Sequence, residues 1–194
     1  GELSVRAATT ASEIERIHAA FLEQRAKRFR QMGVENIFAQ APFQTLFRSL
    51  GIASLGCKSP AFRYHALDAG EEIVATSLGV ATATHYSQYI NSTTDGPAAK
   101  YSLMGVMLSF LIDDLRRDGI ISFDMGLGDF DYKTDWTNAT TVYDSVIPVS
   151  PVGRLAAPLL LGARGTKRVI KQTPALWSVA RRILALRTKL RSRG

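Results

Sequence analysis

Residues 123–136 read Phe123-Asp124-Met125-Gly126-Leu127-Gly128-Asp129-Phe130-Asp131-Tyr132-Lys133-Thr134-Asp135-Trp136. An apolar run from Gly119 to Phe123 leads straight into two glycines, further acids, a Tyr-Lys pair and a tryptophan. Gly126 and Gly128 carry no Cβ, so the backbone there can turn through positive φ or lie close against a ligand. A buried strand that opens into a polar, aromatic loop is where α/β proteins place much of their chemistry. The competing reading is a strand end that runs into a solvated turn.

Working back toward the start, Ile120–Met125 reads as a buried strand, preceded by a helix that Ser102 caps, that runs to about Asp118 and that Gly119 ends. Its inward residues are Leu103, Val106, Met107, Phe110, Leu111 and Leu115. Three runs rich in Val, Thr, Tyr and Ile precede it, over 62–68, 72–82 and 84–91, with a turn at Asp68-Ala69-Gly70-Glu71. The stretch 91–100, with Asp95-Gly96-Pro97, is a loop. Before these strands, Ser12-Glu13-Ile14-Glu15 has the spacing of a capping box and predicts a helix with Ile14, Ile17, Phe21 and Leu22 on one face, fading near Gly33. His18 sits beside that face as a packed or surface histidine. Pro42 suits a first helical position, and Phe43, Leu46, Phe47 and Leu50 give a short helix stopped by Gly51. After the glycine loop, 142–149 reads as a last strand. Three meandering strands, a helical crossover and a further strand make a mixed, largely antiparallel α/β sheet flanked by helices.

The 194 residues carry a formal net charge of +7, divided unevenly. From Arg154 onward there are eleven bases and no acid, while the first 153 residues hold the other thirteen bases against all seventeen acids. The division predicts a body over 1–153 and a basic helical tail over 154–194. From Pro174, Leu176, Val179, Ile183, Leu186 and Leu190 recur at helical steps, with the bases off that line. Such a helix suits three surfaces: the protein's own body, an anionic membrane through residues 174–191, or a polyanion such as RNA. No interleaved aromatics or recognition module support nucleic acid. The lone cysteine, Cys57, excludes an internal disulfide and has no activating neighbourhood beyond Lys58. The longest apolar stretches, 103–112 and 155–163, are half of what a spanning helix needs. No Cys/His cluster has metal spacing. The chain begins with Gly rather than Met, which reads as a trimmed or excised segment.

In the order of its elements from Ser12 to Pro148, the chain resembles the GNAT acetyltransferase superfamily. Within it, the run 123–136 is similar to that of the bacterial acetyltransferases associated with cellulose and exopolysaccharide biosynthesis, relatives of the FemAB-type aminoacyl transferases. Those relatives show a similar Phe-Asp, a glycine followed by an acid, then Tyr-Lys and a Trp three positions on. The resemblance implies acetyl-CoA or another acyl-CoA as donor, with its pantetheine along a splayed strand pair and its pyrophosphate at the start of the central helix. The matching segment here is Lys100-Tyr101-Ser102-Leu103-Met104-Gly105, which keeps a cation and the final glycine of the superfamily loop. Lys100, Ser102, Leu103, Met104 and Gly105 are therefore the expected cofactor-binding residues. A helix start offers unpaired N–H groups and a partial charge of roughly +0.5, which suits phosphate oxygens.

Acyl transfer requires a base for the attacking amine or hydroxyl, polarisation of the thioester and an acid for the leaving thiolate. Asp129, directly after Gly128, is the first candidate base. Tyr132 is a candidate acid, and His85, opening the strand that flanks the acyl group, is a further catalytic candidate. Lys133 and Trp136 are expected to meet phosphate or sugar. Asp124 reads as structural, and His65 as less involved. These expectations add up to an acyl-CoA-dependent transferase acting on a sugar or polysaccharide precursor, a small-molecule or glycan acceptor, in the cytoplasm or at the inner membrane. The alternatives are a FemAB-like aminoacyl transferase and a non-catalytic docking module of a polysaccharide synthase.

Overall fold

The computed structural model describes residues 2–128, 131–143, 145–173, 175–180 and 183. Two compact units partition the chain: one comprises the residues through Gln31 together with Glu35–Asn138, the other Met32–Val34 with Ala139 onward.

The first unit is built on a five-stranded sheet in the order β1 (Leu3–Ala7), β2 (Phe62–Ala69), β3 (Glu72–Ala81), β4 (His85–Thr93), β5 (Ser122–Asp124). Successive pairs are antiparallel until β4 and β5, which run parallel. The three expected strands are present within two residues at each end. β1 is an addition that the sequence reading missed, because five residues at the chain's start carry little periodicity. It is fastened to β2 by Arg6, whose Nε donates to Asp68 Oδ2 at 2.7 Å and whose Nη1 donates to Glu13 at 2.9 Å.

Helix α1 (Ala11–Met32) lies on one face with α2 (Ala41–Leu55). The capping box forms two residues earlier than the Ser12 reading placed it: Thr10 Oγ1 accepts from the Glu13 amide, and the Glu13 carboxylate accepts from the amides of Thr9 and Thr10. Those bonds hold the Glu13 carboxyl down at about 2. Thr10 wins because its three-residue partner, Glu13, is the acid that can reach back. α2 does not stop at Gly51. That glycine is buried inside the helix, where a Cβ would stand 2.7 Å from the Tyr64 ring, so its role is close approach rather than termination. Ile14, Ile17, Phe21, Phe38, Phe47, Phe62 and Tyr64 form the core on this side, and His18, buried with them, meets the Tyr64 hydroxyl through Nδ1 at 3.1 Å.

Helix α3 (Leu103–Arg117) covers the opposite face, packing Leu103, Met107, Leu111 and Leu115 on β2, β3 and β4. Leu108 is buried where Phe110 was expected, and Phe110 is exposed. The expected strand over Ile120–Met125 shortens to β5, and its Ser122 and Asp124 are exposed. The expected last strand over 142–149 is absent among the described residues, which form neither helix nor strand there. Its Val142, Tyr143, Ile147 and Val149 are exposed, so alternation alone found no sheet edge to join.

In the second unit, α5 (Pro151–Gln172) is capped by Ser150, whose Oγ accepts from the Gly153 amide at 3.1 Å. The expected tail helix from Pro174 is helical over 175–180, while Leu186 and Leu190 lie outside the described residues. Among the described residues, no helix is long and apolar enough to cross a membrane.

Candidate active site

Strands β4 and β5 pair over three residues only: His85 opposite Ser122, Tyr86 opposite Phe123, Ser87 opposite Asp124. β4 continues to Thr93, so its edge from Gln88 onward has no β5 partner. Two local features open this wedge. Tyr89 is an extra residue in β4, inserted between Gln88, which faces Gly79, and Ile90, which faces Leu78, and such a bulge bends its strand. Past Asp124 the chain turns away at Gly126, whose φ of 70° is open to glycine and strained for other residues. A Cβ at Gly126 would stand 3.5 Å from the Gln88 carbonyl, so this glycine still lies against β4 just past the last paired residue.

The start of α3 stands beside the wedge. Met104 packs its sulfur 3.9 Å from Gln88 Nε2. Ser102 occupies the cap position, but its side chain makes no capping hydrogen bond, contrary to the sequence reading. The Leu103 amide donates to the Tyr101 carbonyl and the Val106 amide to the Ser102 carbonyl. Among the described residues no acceptor meets the amides of Met104 and Gly105. Lys100 is exposed, with its ammonium 5.1 Å from the Tyr101 ring centroid. Open N–H groups, the positive end of a helix and a nearby cation fit a pyrophosphate, and the unpaired β4 edge fits an extended amide-bearing arm. Leu103 is buried core and contributes backbone alone.

On the α1/α2 face of the wedge, four side chains form a chain of contacts. His85 Nδ1 is 2.9 Å from Ser122 Oγ and Nε2 is 3.0 Å from Ser87 Oγ. Ser87 donates in turn to Asp124 Oδ2 at 3.4 Å, and Asp124 Oδ1 accepts the Gly126 amide at 2.8 Å. The tautomer that satisfies every member puts the proton on Nε2, donates it to Ser87, and leaves Nδ1 to accept from Ser122. His85 thus keeps one ring nitrogen free to accept a proton, while Ser87 and Asp124 orient the ring from the other. Asp124, read from sequence as structural, orients both this chain and the glycine loop. Ser87 and Ser122 were missed, although His85-x-Ser87 and Ser122-x-Asp124 each have the two-residue step that puts both on one strand face.

The loop after β5 is held from below by Lys133, on the short helix α4 (Asp131–Thr134). Its ammonium donates to the carbonyls of Met125, Gly126 and Leu127 at 2.9, 3.0 and 3.1 Å. Burial lowers its pKa, which Asp124 partly opposes. The structure therefore places Lys133 as a clamp on the glycine loop, where the sequence reading had it meeting substrate. Trp136, one turn on, comes 4.0 Å from where a Gly105 Cβ would be, joining this loop to the start of α3. Tyr132 is exposed on α4, within electrostatic reach of Arg25 on α1. Asp129 lies outside the described residues. His65 is sealed under α3 with its ring edge-on to Tyr86, on the face of the sheet opposite His85, and Cys57 is exposed just after α2. Among the described residues no cluster of three His, Cys, Asp or Glu could hold a metal.

The fold has counterparts among solved structures. A possible acetyltransferase from Clostridium difficile 630 is 9% identical, with a TM-score of 0.53, covering 76% of this chain and 99% of its own. A predicted acetyltransferase from Clostridium acetobutylicum, solved with acetyl-CoA, is 14% identical, with a TM-score of 0.52, covering 75% and 96%. An aminoglycoside acetyltransferase from an uncultured soil metagenomic sample, in complex with sisomicin, is 11% identical, with a TM-score of 0.54, covering 74% and 94%. No curated protein matches the sequence. At these identities the structures establish likeness of fold. The sequence itself matches the family model described as Acetyltransferase (GNAT) domain over residues 1–134. The chain therefore belongs to the GNAT acetyltransferases, enzymes whose acetyl donor is acetyl-CoA.

Proposed function

We propose that this enzyme transfers the acetyl group of acetyl-CoA to an amine or hydroxyl of a sugar or polysaccharide precursor. The observation that carries the reading is the wedge: among the described residues β4 has no β5 partner beyond Ser87, beside the open amides of Met104 and Gly105. The donor's amide arm would pair along the β4 edge, and its pyrophosphate would meet those amides together with Lys100 and the Ser102 backbone. The thioester would then lie near Ser87 and Asp124, with the acceptor approaching from the α1/α2 face. There His85 takes the acceptor's proton at Nδ1, directly or through Ser122. Asp129, on the glycine loop, is the second candidate for this proton. Tyr132 would supply the proton that the departing thiolate needs, and Trp136 would line the acceptor's approach. No covalent enzyme intermediate is required, because two bound substrates held in line gain most of the barrier reduction by proximity.

The sugar acceptor rests on the similarity of run 123–136 to the polysaccharide-associated relatives. Release of free thiol from acetyl-CoA, followed with glucosamine, neutral hexoses, glucuronate and sugar phosphates, tests it. Turnover with none of them, in a protein that binds acetyl-CoA, would remove the sugar reading.

We further propose that the division into a catalytic part and a basic tail serves an anionic membrane surface at the cytoplasmic face. What supports this is α5, with Val152, Leu155 and Leu159 exposed on one side and Arg164 and Arg168 on the other, and no acid beyond Arg154. Co-sedimentation with vesicles containing anionic lipid tests it; equal binding to neutral vesicles, or none to either, would refute it.

A further inference from the structure

Arg25 stands out among the arginines of the first unit, since Arg28, Arg30 and Arg116, which also meet no carboxylate among the described residues, are exposed. Arg6, Arg16, Arg48 and Arg63 each meet a carboxylate. Arg25 meets none among the described residues, although its side chain is half-buried and its Nε is fully enclosed without a hydrogen-bond partner. Its guanidinium lies 5.6 Å from the Phe38 ring centroid and 6.0 Å from that of Phe21. Burial and the like charge of Arg28 both work against its ionised form, and Tyr132 is the neighbour that favours it.

The position is fixed rather than incidental. Gln24, the preceding residue, donates to the Ile73 carbonyl at 2.8 Å and accepts from Ser92 Oγ at 2.6 Å, and Ser92 also meets Thr76 Oγ1. These buried bonds set the rotation of α1 over the β3–β4 pair, and Arg25 follows from it. A planar cation flanked by aromatic rings, half withdrawn from water and with no counter-ion among the described residues, is suited to an anion that meets its N–H fork. Carboxylate and phosphate match that fork bidentately. Tyr132 couples the position to the loop that follows β5, on the side from which an acceptor would approach.

We infer that Arg25 binds an oxyanion of the acetyl acceptor, a carboxylate or a phosphate, so that the acceptor is an acidic sugar rather than a neutral or cationic one. Calling this ligand the acceptor rests on the acetyl-transfer reading; the oxyanion site does not.

The arginine Nε–H resonances of the full chain test the inference. Titration with glucuronate, glucose 1-phosphate and glucose should shift the Arg25 signal saturably with one or both acids and leave it still with glucose. A response to glucuronate alone assigns a carboxylate, and one to glucose 1-phosphate alone a phosphate. R25Q should bind at least about tenfold more weakly, as should R25K, which keeps charge and loses the fork, while R28Q, on the exposed turn beyond, should bind as the native protein does. No shift with either acid at tens of millimolar, or undiminished binding by folded R25Q or R25K, would overturn it. Acetyl-CoA, titrated in parallel and read at the Met104 and Gly105 amides, separates the two readings. Response to acetyl-CoA without response to acids defeats the oxyanion site alone. The reverse defeats acetyl transfer and leaves the oxyanion site standing.

Discussion

His85 Nε2 lies 3.0 Å from the Ser87 hydroxyl, and that hydroxyl is directed at Asp124 across the parallel β4–β5 pair. One residue step in either strand would break the chain, because side chains alternate faces. The catalytic proposal depends on this register.

Replacing His85 with Gln should lower kcat by about 10²–10⁴-fold, the range typical of a lost general base, with acetyl-CoA affinity nearly unchanged. D129N makes the comparison. Thiol release gives the rate and calorimetry the affinity. If D129N falls that far and H85Q does not, the proton goes to the loop acid instead.

Lys133→Met should free the carbonyls of Met125, Gly126 and Leu127 from their shared donor. The cost should be about 1–3 kcal/mol, as for charge-assisted hydrogen bonds. The effect should show as faster amide exchange over 125–128 in addition to a lower melting temperature. Unaltered exchange there would mean that the clamp does not hold the loop.

Gly79→Ala should destabilise the protein by about 1–3 kcal/mol, the usual cost of overpacking. A Cβ at that position would overlap the Tyr86 ring and stand 2.7 Å from the Ser87 carbonyl. Since Ser87 is the last β4 residue paired with β5, activity should fall along with the unfolding midpoint. A variant as stable as the native protein would show that Tyr86 can move aside at no cost.

Stability should also fall with acid in a window set by His65. The residue is sealed beneath α3, neither ring nitrogen has a hydrogen-bond partner among the described residues, and burial pushes its pKa down to about 4. Asp114 Oδ2, at 4.0 Å, is too distant for a hydrogen bond. The unfolded chain binds the proton near pH 6.5, so between about 6.5 and 4 it holds more protons than the native state. Stability is therefore highest above that window and declines through it, by about 3 kcal/mol in all. Urea unfolding from pH 7.5 to 4.5 measures it, and H65Q should flatten the slope. An equal slope in H65Q would assign the loss to other groups.

Much of this architecture is legible before any coordinates. The alternation in 62–68, 72–82 and 84–91 and the 3.6-residue stripe in α3 each carry enough apolar residues to fix type and extent. Two of the shortfalls share a cause. β1 and Gly51 are decided by partners distant in the chain, β2 for the first and the Tyr64 ring for the second, and the described residues of 142–149 form no strand although they alternate. At the site, His85 stands out as the histidine that opens a strand, and Tyr132 and Lys133 by residue type just after the glycine loop. Ser87, Ser122 and Arg25 do not, because a serine on a strand and an arginine on a helix are ordinary until pairing and packing give them neighbours. Arg25 does carry one faint signal. It falls four residues after Phe21, on the stripe that Ile14 and Ile17 begin, where an arginine is out of place.

The amide resonances of Met104, Gly105 and β4 residues 89–91, followed as acetyl-CoA is added to the protein, test the wedge most directly. Saturable shifts in both groups, strongest at the two helix-start amides and weakened in K100Q, are the predicted result. Silence at those amides with millimolar acetyl-CoA, or shifts confined to residues elsewhere, would contradict the account.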